Sequence, residues 1–216
     1  MAKGDGLRLV LASASPARLA LLRGAGFAPE VQVSGVDESV VVTDDAAELC
    51  LALARLKAQA VAAGQGQAAG RTLVLGCDSV LAFEGQILGK PDDAADATAR
   101  WKAMRGRQGV LHTGHHLIDL GARADDSDAG KVAEGVGRTV VHFADVSDAE
   151  IAAYVASAEP LYVAGAFTID GLGGAFVERI EGDHGNVVGL SLPLFRGLLS
   201  QVGLTVPQLW AGHGVS

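Results

Sequence analysis

The stretch LVLASASPARLALL, residues 9–22, sets two serines, a proline and an arginine between an apolar run and leucines at helical spacing. Ser15 is a good helix N-cap and Pro16 suits the first helical position. Such a helix start presents free N–H groups just past a strand end, which is a geometry that binds anions. Ser13 and Ser15 add hydroxyls, and Arg18 adds a guanidinium. A cation in the first turn opposes the helix dipole, and an anion held in the corner would relieve that conflict. The same residues are equally compatible with an ordinary capped helix whose arginine is solvated.

A second candidate is Asp78, the only carboxylate in the apolar run TLVLGCDSVLAF. An acid buried in a central strand must protonate, find a cation or hold a metal. Placed at a strand end, it would stand where α/β proteins carry out chemistry. Lys90 follows a short return strand and can meet Asp78 across the hairpin, in which case the two form a plain structural ion pair. Lys57 falls on the same helical stripe as Cys50, Leu53, Ala54 and Val61, so its ammonium either snorkels past the stripe or points into a site. Asp37 and Glu38 end a strand in GVDES, where two acids form a solvated turn or hold a divalent cation.

Other signals are weaker. In an alternating strand His115 and His116 of HTGHH face opposite sides, which makes them poor joint ligands for zinc. GLGG at 171–174 opens no helix, GLSLP lacks the second glycine of a nucleophile elbow, and no Walker A sequence is present to support a phosphate-loop kinase. Gly165, Gly171, Gly173 and Gly174 mark a loop where backbone approaches a ligand or another strand closely. Cys50 and Cys77 are too few for a disulfide framework.

The elements that must position these residues alternate between strand and helix, which predicts the α/β class in one domain over 1–216. Strands are expected at 7–13, 30–36, 71–83 with a short return after Glu84-Gly85, 109–122, 138–146 and 174–182. Helices are expected at 16–25, 44–63, 92–106 opened by Asp92, 147–160 with a capping box of Ser147 and Glu150, and 191–203. Residues 123–137 read as a polar loop, and 206–216 as a poorly ordered tail anchored by Trp210.

Composition narrows the partners. The 216 residues are 49% hydrophobic and carry a net charge of -8. So acidic a chain does not suit a duplex, which excludes nucleic acid as the main partner, while a locally positive pocket still suits a small anion. The first residues contain no apolar leader, and no apolar run approaches the ~20 residues of a membrane span. A soluble cytoplasmic protein is the expectation.

Taken in order, LASASPARLALL, VDE, ARLKA, GCDSV, ILGKP, HTGHHLI and VAGAFTIDGLGGAFVERIEGDHGNVVGLSLPLF resemble the Maf family of nucleoside triphosphate pyrophosphatases, over about residues 8–200. The resemblance implies an elongated mixed sheet with two lobes around a cleft, similar to the inosine triphosphate pyrophosphatase fold. It implies hydrolysis of nucleoside triphosphates to the monophosphate and pyrophosphate with a divalent metal, Mg²⁺ or Mn²⁺, and it suggests a homodimer. Ser13, Ser15 and Arg18 match the family's phosphate-binding corner. Asp78 matches its catalytic aspartate, and Glu38, Lys57 and Lys90 match the other charged positions of the cleft. Attack at the α-phosphorus needs positive charge on the phosphate oxygens and an oriented water. The cations supply the first; Glu38 and Asp78 can hold the metal, and Asp78 can instead accept the proton of water.

Three positions depart from the family pattern. Ala17 stands where many members have arginine, Ser79 where Thr or Gln follows the aspartate, and Asp170 where Gln or Glu is usual. These positions separate the family's base-selective subgroups, and this chain matches neither, resembling instead an actinobacterial branch of general nucleotide specificity. The competing class is a non-catalytic nucleotide-binding regulator of septum formation. The full set of Lys57, Lys90, Asp78 and Glu38 favours catalysis, because a binder needs no acid–base set.

Overall fold

The computed structural model describes residues 6–65, 70–121 and 130–210. A seven-stranded mixed sheet forms its centre, in the order β2-β1-β3-β5-β6-β7, with β4 paired to the far end of β3. The strands are β1 (Arg8–Leu11), β2 (Glu30–Val31), β3 (Thr72–Phe83), β4 (Gln86–Leu88), β5 (Gln108–Asp119), β6 (Lys131–Phe143) and β7 (Val177–Glu181). The helices are α1 (Pro16–Gly24), α2 (Ala46–Ala63), α3 (Ala94–Met104), α4 (Asp148–Ala156), α5 (His184–Val188), α6 (Leu192–Gln201) and α7 (Val206–Trp210). β1 runs parallel to β2 and β3; β3, β5, β6 and β7 pair antiparallel in sequence.

Three long strands organise the molecule. β3, β5 and β6 run 12, 12 and 13 residues, roughly 40 Å each at the usual strand rise. One apolar cluster gathers at the end where β3 and β6 begin and β5 finishes, with Leu11, Leu22, Leu75, Leu117, Phe195 and Leu198 packed under α1 and α6. Another gathers at the other end around Trp101, which touches Phe143, Tyr154 and Phe176 edge-on. Each end thus buries its own core on shared strands, giving two lobes. On the opposite face α2 packs Ala58 and Val61 against Val10, Val74 and Ile118.

Between the lobes one edge of β3 is uncovered. β1 ends at Leu11, opposite Leu75, and β4 begins its pairing at Leu81. Residues 76–80 have β5 on one side and no strand on the other. Asp78 therefore sits in the middle of β3, and not at a strand end as expected from the sequence. The break in the neighbouring strands gives it an opening that a strand end would have supplied.

Local signals placed most helices. Ser15, Asp45, Asp93, Ser147 and Ser191 each accept a backbone N–H as N-caps, with the full capping box at Ser147 and Glu150. The third helix is opened by Asp93, not Asp92, whose own N–H is taken by the Asp96 side chain. The second strand shrinks to two residues. Residues 131–137, expected as loop, are half of β6, and residues 123–129 lie outside the described residues. Two glycines of this strand are packing requirements: a Cβ at Gly137 would stand 2.1 Å from Asn186 Oδ1, and one at Gly135 3.1 Å from Leu194. Residues 206–210, expected as tail, form α7, and the indole of Trp210 donates to the Ala25 carbonyl at 2.9 Å, the expected anchor.

Candidate active site

The uncovered edge of β3 floors a cleft of about 950 Å³. Ser13, Ser15, Ala17, Arg18, Glu38, Lys57, Asp78, Ser79, Lys90 and Asp170 all line it. They come from β1 and α1, the turn before α2, α2 itself, the middle of β3, the segment after β4, and the loop before β7.

Arg18 lies at the base of the α1 corner and is only 9% exposed. Its Nε donates to the Gly189 carbonyl at 2.7 Å, Nη1 to Ser13 Oγ at 3.0 Å and Nη2 to Ser79 Oγ at 3.0 Å. All three acceptors are neutral, and among the described residues no carboxylate pairs with this guanidinium. Burying a cation without a counter-charge is costly, so the corner is built to receive an anion. Ser15 Oγ takes the Arg18 N–H at 3.3 Å and Pro16 has no N–H. That leaves the Ala17 N–H as the open donor of the first turn, on a residue that lines the cleft.

Lys57 also reaches the cleft, held in a clasp. Its ammonium lies 2.5 Å from Asp78 Oδ1 and 2.8 Å from Glu38 Oε1, with the Lys57 and Asp78 side chains each 12% exposed. The ion pair expected between Asp78 and Lys90 is not formed: Asp78 pairs with Lys57, and Lys90 stands exposed at the cleft wall without a carboxylate partner among the described residues. Lys57 thus points into the site and does not snorkel. It reaches there because α2 lies almost on the sheet. A Cβ at Gly76 would stand 2.2 Å from the Ala54 carbonyl oxygen, and one at Gly114 2.3 Å from that of Cys50. The acids of GVDES divide their work: Asp37 caps the 3-10 turn Glu38–Val40, taking Ser39 N–H at 3.0 Å, and Glu38 faces Lys57.

Asp170 is exposed on a loop folded around Glu159. That carboxylate takes Thr168 Oγ1 at 2.5 Å and the N–H groups of Leu172 and Gly173 at 2.9 Å each. Sequence reading missed Glu159, along with Thr113, Asn186 and Gly189, which support Arg18 and Ser79. None carries a motif of its own; their roles come only from which strands are neighbours. The histidines turn opposite ways, as alternation requires. His115 Nε2 accepts the Ser191 N–H at 2.8 Å, and burial pushes its pKa down to about 4. His116 Nδ1 meets Glu134 at 2.8 Å, and the Arg55 guanidinium holds that carboxyl at about 2.

Glu38 and Asp78 are the donors available for a metal. Among the described residues no cluster of three or more His, Cys, Asp or Glu exists. The two carboxylates nevertheless flank one cation, the Lys57 ammonium, each through a single oxygen, which leaves a second oxygen on each. An oxygen-only pair suits Mg²⁺ or Mn²⁺, which takes one or two carboxylates and fills the rest with water and substrate phosphate. The residues fit that group.

Fold and site together define an α/β protein whose interlobe cleft combines a buried, uncompensated arginine at a helix start with a carboxylate–lysine clasp. The chain belongs to the Maf family: the family model described as Maf-like protein matches residues 8–202. It is 65% identical to a protein of Salinispora tropica over 95% of this chain and 88% of that one. It is 58% identical to one of Streptomyces coelicolor over 94% and 95%, and 52% identical to one of a Cyanothece species over 94% and 100%. All three bear the name nucleoside triphosphate pyrophosphatase. A solved nucleoside-triphosphatase / dITP/XTP pyrophosphatase of Mycobacterium abscessus aligns at 17% identity and a TM-score of 0.35, over 64% of this chain and 75% of that one. That likeness is too loose to support any argument. No helix among the described residues is long and apolar enough to cross a membrane.

Proposed function

We propose that this chain hydrolyses nucleoside triphosphates to the monophosphate and pyrophosphate, with broad base selectivity. The observation that carries the reading is Arg18: a nearly buried guanidinium bonded only to neutral oxygens, one of them Ser79 Oγ beside Asp78, in the cleft that Asp78 also lines. The names of the relatives agree with it.

The chain's own groups divide the work. Arg18 has five N–H bonds and spends three on the protein. The remaining two, with the Ala17 N–H and the hydroxyl protons of Ser13 and Ser15, bind phosphate oxygens. Asp78 Oδ2 has no protein partner among the described residues and accepts the proton of the attacking water, while Lys57 bonded to Oδ1 holds the carboxylate in position. Lys90, exposed and unpaired, meets the charge that builds up as the bond between the α-phosphorus and the pyrophosphate oxygen breaks. Glu38 would hold a divalent metal, Mg²⁺ or Mn²⁺, with Asp78 contributing only through Oδ1 so that Oδ2 stays the base; the chemistry the metal would supply is to neutralise charge on the phosphate oxygens. The substrates would place the enzyme in the cytoplasm, and a homodimer remains part of the family expectation.

The test is pyrophosphate release from dTTP, UTP, CTP and GTP, with and without chelator. Turnover that chelator abolishes and added Mg²⁺ or Mn²⁺ restores is the expected result. Tight nucleotide binding without turnover would identify a regulator, and full activity in chelator would remove the metal from the mechanism.

A further inference from the structure

The three serines around Arg18 differ in where their protons go. Ser13 Oγ accepts from the Ser15 N–H at 3.2 Å and from Arg18 Nη1 at 3.0 Å. Ser15 Oγ accepts from the Arg18 N–H at 3.3 Å. Both hydroxyls therefore keep their proton for a ligand. Ser79 does not. Its Oγ accepts from Arg18 Nη2 at 3.0 Å and lies 2.9 Å from Thr113 Oγ1. Thr113 Oγ1 in turn lies 2.9 Å from the Asn186 carbonyl oxygen, which can only accept. Thr113 has one proton, and it goes to Asn186. The proton between the two hydroxyls must then be that of Ser79. The chain runs one way, from the guanidinium through Ser79 and Thr113 to the Asn186 carbonyl, and Ser79 has no proton left for the cleft.

We infer that Ser79 is a positioning residue for Arg18 and not a reader of the nucleobase, an assignment that rests on the pyrophosphatase reading above. The far end of the chain is rigid. Thr113 and Asn186 are wholly buried, and Asn186 Nδ2 donates to the Leu111 carbonyl at 3.2 Å and to Thr139 Oγ1 at 3.1 Å, which ties it to β5 and β6. On its other side the guanidinium is held by the Gly189 carbonyl, so three fixed acceptors set its plane. One N–H on each terminal nitrogen stays free, a pair suited to two oxygens of one phosphate. Ser79 can offer the base only a lone pair, which removes one selective donor from the pocket. Its effect passes through the phosphates, which every nucleotide shares.

The test compares Ser79→Ala and Ser79→Thr with the unaltered protein in two assays. One is kcat/KM for dTTP, UTP, CTP and GTP. The other is the Kd for inorganic tripolyphosphate, which has no base. Ser79→Ala should lower kcat/KM by about tenfold for every nucleotide, as loss of one charged hydrogen bond implies, and raise the tripolyphosphate Kd by a similar factor. Ser79→Thr, which keeps the hydroxyl, should restore both. In an Arg18→Lys background the Ser79→Ala change should cost less than about threefold, because its effect is already lost. An unchanged Kd in Ser79→Ala overturns the assignment, whether nucleotide ranking shifts or only the active fraction falls. If the unaltered protein binds tripolyphosphate and turns over no nucleotide, the catalytic reading fails while the Kd comparison still decides the role of Ser79. If it binds neither, both readings fall.

Discussion

Lys57 on α2 and Asp78 on β3 meet at 2.5 Å across a helix–sheet contact that only glycine permits. The pair is the junction between the scaffold and the chemistry. Gly76 lies two residues from Asp78 on β3, and Gly114 is its register partner on β5. Remove either close approach and the lysine backs away from the carboxylate.

Gly114→Ala should show this directly. The new methyl would stand 2.3 Å from the Cys50 carbonyl oxygen, so the helix must move. Overpacking of this kind costs about 2 kcal/mol or more. A lower Tm, together with a fall in kcat in the protein that remains folded, is expected; unchanged melting would mean that α2 can shift freely.

Asp78→Asn keeps the shape and removes the charge. The Lys57 ammonium still has Glu38 at 2.8 Å, so the fold should persist. Turnover should fall by at least about a hundredfold, in the range of a lost general base. Near-normal pyrophosphate release from this variant would remove Asp78 from the reaction.

The two lysines should separate in a way the sequence did not suggest. Lys90 is exposed and bound to no carboxylate, so Lys90→Ala should cost about tenfold in kcat/KM with Tm unmoved. Lys57 is clasped by two carboxylates. Lys57→Ala leaves both facing each other and should lose activity and about 3–6 °C in Tm, on the order of 1–2 kcal/mol. Equal melting of the two variants would contradict the clasp.

Base selectivity should be shallow. Ala17 offers a methyl group in place of a donor fork, Asp170 is exposed, and an ionised carboxylate cannot donate. A ratio above about a hundredfold in kcat/KM between any one of dTTP, UTP, CTP, GTP and 7-methyl-GTP and all the others, ~2.7 kcal/mol, would show a dedicated reader instead.

His115 should make stability depend on acid. It is wholly buried, and burial pushes its pKa from 6.5 down to about 4. The unfolded chain binds the proton first, so this contribution is complete above pH 6.5 and is lost as pH falls from 6.5 toward 4. Glu134, held at about 2 by Arg55, loses its share only between 4.5 and 2. Tm should therefore already decline above pH 4, through His115 together with His112 and His116, whose pKa values burial also lowers, and an NMR titration should find the His115 ring still neutral at pH 5. A ring that titrates near 6.5 would refute the assignment.

Much of this protein could be read in one dimension because the signals are local. Caps at Ser15, Asp45 and Ser147, apolar periods and the isolated charge of Asp78 depend only on near neighbours in the chain, and they placed most helices and strands and singled out the charged residues of the cleft, while Ala17, Ser79 and Asp170 stood out only through the resemblance. The resemblance supplied roles for those residues by the order of their motifs. The partners of each residue were another matter. Whether Asp78 would meet Lys57 or Lys90, and whether Gly135 and Gly137 belonged to a loop or to β6, turned on which strands became neighbours. Thr113, Asn186 and Glu159 carry no local pattern, since their hydrogen bonds span 34, 73 and 9 residues of chain. The opening over Asp78 exists because β1 stops at Leu11 and β4 starts its pairing at Leu81. That gap is a relation between strands far apart in sequence, and only the folded sheet creates it.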